Sequence, residues 1–366
     1  MDECALTRRL MAWDTSHPEG IRSCAGFIKG WLEARDIGVR DAVFNGRPVL
    51  AATVGAESGP TIVFHGHLDV VPAHAEQFEP QIDGDRLIGR GAYDMKGGLA
   101  GMMVAASEVA GRTDVKVHFV CVADEESDET ELRASDWLVK QGYIGDFAIT
   151  GEPTDLHIGV QAKGVLALRL IFSGRAAHGS TPWQGDNAVL KALHGFRRIE
   201  QMEWGQESSE LFPRPSVNLG RIMGGDALNK VPDRCVIDID IRYLPGQEPA
   251  LIQQEIAALP GVEVRKVFHR SPILVEATNP HVQLLAQAIE EGTPAERISV
   301  GRDGTSDAIS FLEAGVPAVE FGPTGGGHHG PEEWVSITSL ERYRQALVNF
   351  VGLAAGGTET THLRIA

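Results

Sequence analysis

Cysteine is scarce in this chain of 366 residues, and the few cysteines present are widely spaced: Cys4, Cys24, Cys121 and Cys235. They fit neither a disulfide framework nor a Cys-x-x-Cys metal site. Such sparse, scattered cysteine is typical of a reducing compartment. We therefore expect a cytoplasmic protein.

Long apolar runs and a targeting segment are also lacking. No run approaches the ~18–20 residues that would span a bilayer. The first residues, Met1-Asp2-Glu3-Cys4, carry acid early and lack a basic region followed by an apolar core, which argues against a secretory signal. We expect no membrane partner.

Positive charge is in deficit, because 33 Lys and Arg face 50 Asp and Glu, for a net charge of −17. Binding to phosphate backbones needs a basic face, so nucleic acid is excluded as a partner. The Gly-rich stretch 89–98 matches neither the Walker pattern nor a dinucleotide fingerprint. The sequence therefore predicts neither an ATP-dependent nor an NAD-dependent enzyme.

The chain is long enough for about two domains, and its patterning changes near residue 163. Before that point, strand-like apolar runs alternate with helical periodicity, which indicates an α/β domain with a mostly parallel sheet and a site at the strand C-termini. The predicted strands are 48–54, 61–65, 115–122 and 146–150, and the predicted helices include 99–109 and 131–141.

A second block, 163–273, has the order β-α-β-β-α-β, which indicates an inserted ferredoxin-like α+β domain. Asp186-Asn187 predicts a cap for its first helix. After it we expect a helix at 280–291, a strand at 317–321 and a last helix at 337–353. The catalytic domain is thus predicted to be built from 1–162 and 274–366.

Polar groups follow three of the predicted buried strands. His67 and Asp69 share one side of an extended segment, and a carboxylate that orients a histidine ring is a common partner of a metal ligand. Further candidates complete the set: Asp94 in the Gly-rich loop, Glu126 and Glu152 after strands, and a histidine at 328 or 329. Imidazoles with carboxylates suit Zn²⁺, Co²⁺ or Mn²⁺.

This set exceeds what one tetrahedral site needs, but it suits two metals ~3.5–4 Å apart that share a carboxylate and a water. Glu125 would then be free to act as a base. Each residue has a simpler interpretation: Glu125-Glu126 as solvated surface, Asp94 as a helix cap, and a lone His65 as a structural residue. Their combination at buried strand ends, where solvated charge is least expected, favours the metal site.

These motifs resemble the dinuclear zinc amidohydrolases, a family that includes acetylornithine deacetylase, succinyl-diaminopimelate desuccinylase, aminoacylase and glutamate carboxypeptidase. The resemblance covers nearly the whole chain. It rests on the following motifs: His67-Leu68-Asp69-Val70-Val71-Pro72, Gly89-Arg90-Gly91-x-x-Asp94-Met95-Lys96-Gly97-Gly98, Asp124-Glu125-Glu126, Gly151-Glu152-Pro153-Thr154 and His329-x-Pro331-x-Glu333.

The resemblance implies two Zn²⁺ or Co²⁺ ions per subunit. One ion would be held by His67, Asp94 and Glu152. The other would be held by Asp94, Glu126 and His329. Asp94 would bridge the two ions and be followed by a cis peptide bond, Asp69 would orient His67, and Glu125 would be the general base. The His-x-Pro-x-Glu spacing favours His329 over His328.

The resemblance also implies that the inserted domain is a lid and dimerisation domain. Its His178 would stabilise the oxyanion, often across a homodimer. Substrate contacts are expected from these residues: Asn229, Arg242, Lys163, Gly304 and Thr305.

The implied reaction is hydrolysis of the amide bond of a small N-acyl amino acid. A dipeptidase or carboxypeptidase, or a non-catalytic metal-binding relative, is the alternative. Because no second basic cluster is evident for a succinyl carboxylate, the sequence slightly favours a deacetylase.

Overall fold

The computed structural model describes residues 2–126, 132–289, 294–298, 300–304 and 306–356. The chain forms two compact units. The first comprises Met1–Val160, Val275–Val300 and Ser306–Ala366, and the second comprises Gln161–Leu274 and Gly301–Thr305. The predicted inserted segment, 163–273, lies within the second unit.

The helices are α1 Glu3–Met11, α2 Pro18–Glu33, α3 Gly97–Val109, α4 Ala134–Lys140, α5 Ala188–Ile199, α6 Pro249–Ala257, α7 Pro280–Ala288, α8 Pro294–Arg297, α9 Ala308–Glu313 and α10 Ile337–Gly356. Within the described residues, no helix combines the length and the apolar character needed to cross a membrane.

The strands are β1 Val39–Phe44, β2 Arg47–Gly55, β3 Thr61–His67, β4 Gln81–Asp83, β5 Arg86–Ile88, β6 Lys116–Val122, β7 Phe147–Thr150, β8 Gly159–Ala162, β9 Gly164–Ser173, β10 Ser216–Gly224, β11 Arg234–Tyr243, β12 Val262–Arg270, β13 Ile273–Leu274, β14 Val300–Arg302, β15 Ala318–Glu320, β16 Gly325–Gly326 and β17 Trp334–Ser336.

The main sheet of the first unit runs in the order β1-β2-β6-β3-β7-β15-β8. Its central strands β6, β3, β7 and β15 are parallel, and the flanking pairs are antiparallel. Ile62, Val63 and Phe64 of β3 are fully buried, as expected for a strand covered on both faces. The predicted α/β fold with a mixed sheet and a parallel centre is confirmed.

The parallel centre brings three strand ends to one edge of the sheet. His67 pairs with Val122 at the end of β6, and His65 pairs with Thr150 at the end of β7. The segments after β3, β6 and β7 therefore leave the sheet side by side. Acidic and imidazole groups far apart in sequence meet at this edge.

A smaller antiparallel sheet, in the order β16-β17-β5-β4, was not predicted beyond a turn at Asp83-Gly84-Asp85. Trp334 of β17 pairs with Ile88 of β5, and also with Gly326 of β16. This sheet brings together the loop after β5, which carries Asp94, and the loop between β16 and β17. We call them the Asp94 loop (89–96) and the double-histidine loop (327–333).

The second unit has the predicted ferredoxin-like topology. Its order is β9-α5-β10-β11-α6-β12, and its antiparallel sheet runs β10-β11-β9-β12. Alternate residues of β11 are buried, including Ile237, Ile239 and Ile241, so one face of the sheet forms the core with α5 and α6. Asn187 caps α5, accepting hydrogen bonds from the backbone of Val189 and Leu190.

Candidate metal centre

His67, at the end of β3, is fully buried and begins the cluster of donors. Its Nε2 lies 3.2 Å from Oδ1 of Asp94 and 3.7 Å from Oε1 of Glu152. Glu152 follows β7, the neighbouring parallel strand, so the strand register brings these two residues together. One ligand atom from each of the three lies within 4.8 Å of the others.

Asp94 lies in a short irregular turn, 92–96, which follows Gly91 at a φ of +79° and precedes α3. The Asp94–Met95 peptide bond is cis. Helix α3 begins so close to the end of β7 that a Cβ on Gly98 would lie 2.2 Å from the carbonyl oxygen of Gly151. This close approach of two glycines brings Asp94 near Glu152.

Both adjacent histidines of the double-histidine loop reach Asp94. Oδ2 of Asp94 lies 2.5 Å from Nε2 of His328 and 3.2 Å from Nε2 of His329. Nε2 of His329 also lies 2.9 Å from Oε1 of Glu126. Asp94, His328 and His329 form a second convergent group of donors. The double contact of His329 favours it as the ligand, in line with the spacing of the motif.

Asp69 contacts His67 chiefly through its backbone. Its carbonyl oxygen lies 3.0 Å from Nδ1 of His67, and its carboxylate is 3.5 Å away. The carboxylate accepts a hydrogen bond of 3.0 Å from the backbone N–H of Glu126. Asp69 therefore links the first strand end to the segment that carries Glu125 and Glu126.

Arg133 holds the segment after β6, because it donates hydrogen bonds to the backbone carbonyls of Asp124 and Glu125. Asp124 caps the start of α4 by accepting from the backbone N–H of Ala134 at 2.9 Å. These contacts hold the backbone of the adjacent acids Glu125 and Glu126.

Hydrogen bonds between imidazole and carboxylate groups together outweigh the effect of burial on the pKa values of Asp94 and His67. Burial alone would raise the pKa of Asp94, but contacts with His328, His329 and His67 hold it well below its usual range. Burial would lower the pKa of His67, yet its bonds to Asp69 and Asp94 raise it. Hydrogen bonds to Asp94 and Glu126 raise the pKa of His329 to about 10.

The pKa of Glu125 shifts in the direction opposite to that of Asp94. Burial raises the pKa of Glu125 well above its usual value, and His67 opposes this only in part. Nearby carboxylates raise it further: Glu152, Asp307 and Glu126. Burial also raises the pKa of Asp124 to about 6. Several carboxyl groups therefore lie close together at this edge of the sheet.

The residues fit divalent cations. Imidazole nitrogens and carboxylate oxygens are the donors that Zn²⁺, Co²⁺ and Mn²⁺ take in proteins. Two groups of such atoms converge here, and Asp94 belongs to both. Bound cations would also neutralise the carboxylate repulsion that raises the pKa of Glu125.

His65, interpreted from the sequence as a structural residue, lies in a separate network. Its Nε2 is 2.7 Å from Oγ of Ser135, which donates a 2.6 Å hydrogen bond to Asp307. All three side chains are buried, and burial lowers the pKa of His65 to about 4. Its neutral ring thus joins β3 to α4 and to the start of α9.

Two buried residues of the motifs were given no role from the sequence. Glu333 accepts hydrogen bonds from Arg90 and from the backbone of Asp94, and Arg90 also bonds the carbonyl oxygen of His329. Tyr93 similarly donates to Asp155, three residues after Glu152. The sequence feature that could have indicated these roles is that charged residues flank the ligands within each motif.

The remaining predicted residues lie in the second unit. His178 is exposed, and the N–H of Gly179 donates to the carbonyl oxygen of Asn229 at 2.7 Å. The backbone of His178 also forms an isolated antiparallel β-bridge with Lys230, so the loops that carry His178 and Asn229 are adjacent.

Arg242 lies on β11, where its Nε donates to Asp240 at 3.1 Å. The buried Lys163 pairs with Asp303 at 2.7 Å, next to the exposed Gly304. Thr305 lies outside the described residues.

Comparison with known proteins gives one family. The sequence model of peptidase family M20/M25/M40 matches residues 63–352. A relative named succinyl-diaminopimelate desuccinylase, from Leptothrix cholodnii, is 31% identical over 319 residues, which cover 80% of this chain and 83% of the relative.

Solved structures with the same fold cover almost the whole chain. The aminopeptidase PepT from Bacillus cereus superposes with a TM-score of 0.76 at 20% identity, covering 96% of this chain and 98% of that protein. YXEP from Bacillus subtilis, described as a dinuclear metal-binding peptidase, gives a TM-score of 0.69 at 16% identity and covers 98% of both chains.

Proposed function

Because the chain belongs to peptidase family M20/M25/M40 and is a metal-dependent hydrolase of that family, we propose that it cleaves the amide bond of a small N-acyl amino acid. The observation that carries this proposal is the pair of donor groups that share Asp94, with Glu125 close to the same carboxylates. We further propose a cytoplasmic location, which its four free cysteines favour.

Two Zn²⁺ or Co²⁺ ions are proposed as the cofactors. His67 and Glu152 would hold one and Glu126 and His329 the other, with Asp94 shared between them. Such ions would supply an acidified water, with a pKa towards ~7, and Lewis-acid polarisation of the acyl oxygen. The dinuclear description of the Bacillus subtilis protein supports this stoichiometry.

Glu125 is proposed to move the proton. Its carboxylate takes a proton from the attacking water and later returns it to the leaving amine. Bound cations would offset the charge of the neighbouring carboxylates that raises the pKa of Glu125, so that Glu125 would be ionised and able to accept the proton.

His178 is proposed to donate a hydrogen bond to the developing oxyanion. The backbone N–H of Ser180 donates to Nδ1 of His178 at 3.1 Å, so Nδ1 acts as a hydrogen-bond acceptor. The ring proton is then on Nε2, which leaves an exposed N–H donor. One such donor is worth roughly 2.7–4 kcal/mol in comparable sites.

Arg242 and Asn229 are proposed to bind the substrate's α-carboxylate, because a guanidinium matches a carboxylate in a bidentate manner. Lys163, Gly304 and Thr305 would add substrate contacts. The desuccinylase relative favours an N-succinyl amino acid as substrate. The fold shared with an aminopeptidase supports a small peptide as the second candidate.

A substrate panel tests this proposal. We expect the Zn²⁺- or Co²⁺-loaded protein to hydrolyse an N-succinyl or N-acetyl amino acid faster than dipeptides. A chelator should remove the activity and added metal should restore it. Amine release, measured with and without chelator, is the readout. Absence of metal-dependent hydrolysis across all three substrate classes would refute the enzyme assignment.

We also propose a homodimer formed through the second unit. Strand β10 is at an edge of its sheet, where backbone groups can pair with another chain. Exposed apolar side chains lie on this strand and on the adjacent helix α5: Ile222, Met223, Leu190 and Leu193. Exposed apolar side chains beside an edge strand are typical of an isologous interface.

Met223→Asp should disrupt this dimer, because a buried carboxylate without a partner would oppose the apolar contact. Sedimentation velocity should show a dimer for the wild type and a monomer for the variant. The matched control is Val267→Asp at the opposite edge strand β12, where Val267 is similarly exposed. A fully active wild-type monomer would contradict the proposed dimer and any action of His178 across it.

A further inference from the structure

The ion pair between Arg90 and Glu333 joins two segments far apart in sequence. Nη1 of Arg90 lies 2.5 Å from Oε2 of Glu333, and both side chains are almost completely buried, at 3% and 0% exposed. Arg90 belongs to the Asp94 loop and Glu333 to the double-histidine loop. A buried ion pair by itself is weak evidence of added stability, so the role of this pair follows from its other contacts.

The other oxygen of Glu333 holds the backbone next to a ligand. Oε1 accepts hydrogen bonds from the backbone N–H of Tyr93 at 2.9 Å and of Asp94 at 3.0 Å. Two backbone donors and one guanidinium therefore use both carboxylate oxygens. This arrangement fixes the position of Asp94, which belongs to both donor groups.

The second arm of Arg90 holds the backbone of the other ligand. Its Nη2 donates a 2.9 Å hydrogen bond to the carbonyl oxygen of His329. His329 has a φ of +58°, a conformation that non-glycine residues adopt infrequently and that surrounding contacts must maintain. Gln77 adds support to the same loop by donating to the carbonyl oxygen of Gly330 at 3.1 Å.

The two donor groups depend on this pair to different degrees. His67 and Glu152 are positioned by the ends of β3 and β7 in the main sheet. Asp94 and His329 are both held by the Arg90–Glu333 pair. The metal position that combines Asp94 with His329 therefore has two of its ligands set by one buried contact.

We infer that Arg90 and Glu333 are positioning residues that set the affinity of the metal position formed by Asp94, His329 and Glu126. This inference rests on the proposed metal centre. Outer contacts of metal ligands typically change affinity by ~10–100-fold. The pair should act mainly on this position and much less on the one that includes His67 and Glu152.

The test is a titration of the metal-free full chain with Co²⁺, followed by calorimetry and by the visible absorption of bound Co²⁺. The first variant is Glu333→Gln, in which one oxygen becomes an amide donor that faces either Arg90 or the two backbone N–H groups. We expect one Co²⁺ to bind as in the wild type and the other to bind ~10–100-fold more weakly.

A second pair of variants compares Arg90→Lys, which keeps the buried charge but not the two-armed geometry, with Arg90→Gln, which removes both. The weaker Co²⁺ site should bind its ion more tightly in Arg90→Lys than in Arg90→Gln. The matched control is Asp238→Asn, which removes another ion pair, Arg169–Asp238, from the second unit. This control should leave both Co²⁺ affinities unchanged.

The ratio of the two affinities separates positioning from a general structural role. Glu333→Gln with two unchanged Co²⁺ affinities, or with both weakened equally, would overturn the inference while leaving the proposed function intact. A wild-type chain that binds only one Co²⁺ would overturn both. If Glu333→Gln does not fold, the comparison of Arg90→Lys with the wild type decides by the same ratio.

Discussion

Glu125→Gln is expected to lower the turnover of the metal-loaded enzyme by ~10²–10⁴-fold, the usual contribution of a general base. Glutamine is nearly isosteric with glutamate but cannot accept the proton of the attacking water. Since Glu125 is assigned no metal ligand role, the content of bound metal should be unchanged. Turnover and metal content measured on the same preparation test this expectation.

The control for this substitution is Glu57→Gln at an exposed surface position, which should leave turnover unchanged. Near-normal turnover of Glu125→Gln would reject Glu125 as the base. Loss of metal together with turnover would instead indicate that Glu125 contributes to holding the cations. Metal analysis distinguishes this result from the loss of turnover with unchanged metal content that is expected for a general base.

His329→Ala is expected to weaken the binding of one of the two metals by more than about 100-fold, because loss of a ligand exceeds the effect of losing an outer contact. Its imidazole contacts both Asp94 and Glu126. Turnover should fall in parallel at limiting metal. Metal titration of the purified variant gives the number of ions bound and their affinities.

The matched control is His328→Ala, since this neighbour contacts Asp94, whereas Glu126 is contacted by His329. We expect it to keep both metals, with a smaller change in affinity. The reverse order of effects would assign the ligand role to His328 and reject the inference from the motif spacing. Equal effects would mean that both imidazoles hold the metal.

Much of the candidate site could be anticipated from the chain because its donors follow buried strands. His67, Glu126 and Glu152 each come after an apolar run, and parallel strands place their carboxyl ends at one edge. Periodicity also predicted the second unit, since β-α-β-β-α-β has few compact arrangements. These are local signals that need no knowledge of distant contacts.

Other features carried no such signal. The small sheet that unites the Asp94 loop with the double-histidine loop consists of strands of two or three residues, too short for a recognisable period. The sequence placed Asp69 beside His67, but the closer contact uses its backbone carbonyl, and its carboxylate bonds the backbone of Glu126. Such choices depend on backbone torsion and not on residue type.

By itself the sequence determined the kinds of donor, their order along the chain and the two-part architecture, because these follow from composition, periodicity and motif spacing. Only the tertiary structure decided which donor atoms meet. Arg90 and Glu333 are 243 positions apart, yet their contact holds both Asp94 and His329. Contacts of that range form only when the whole unit folds, so no local pattern reports them.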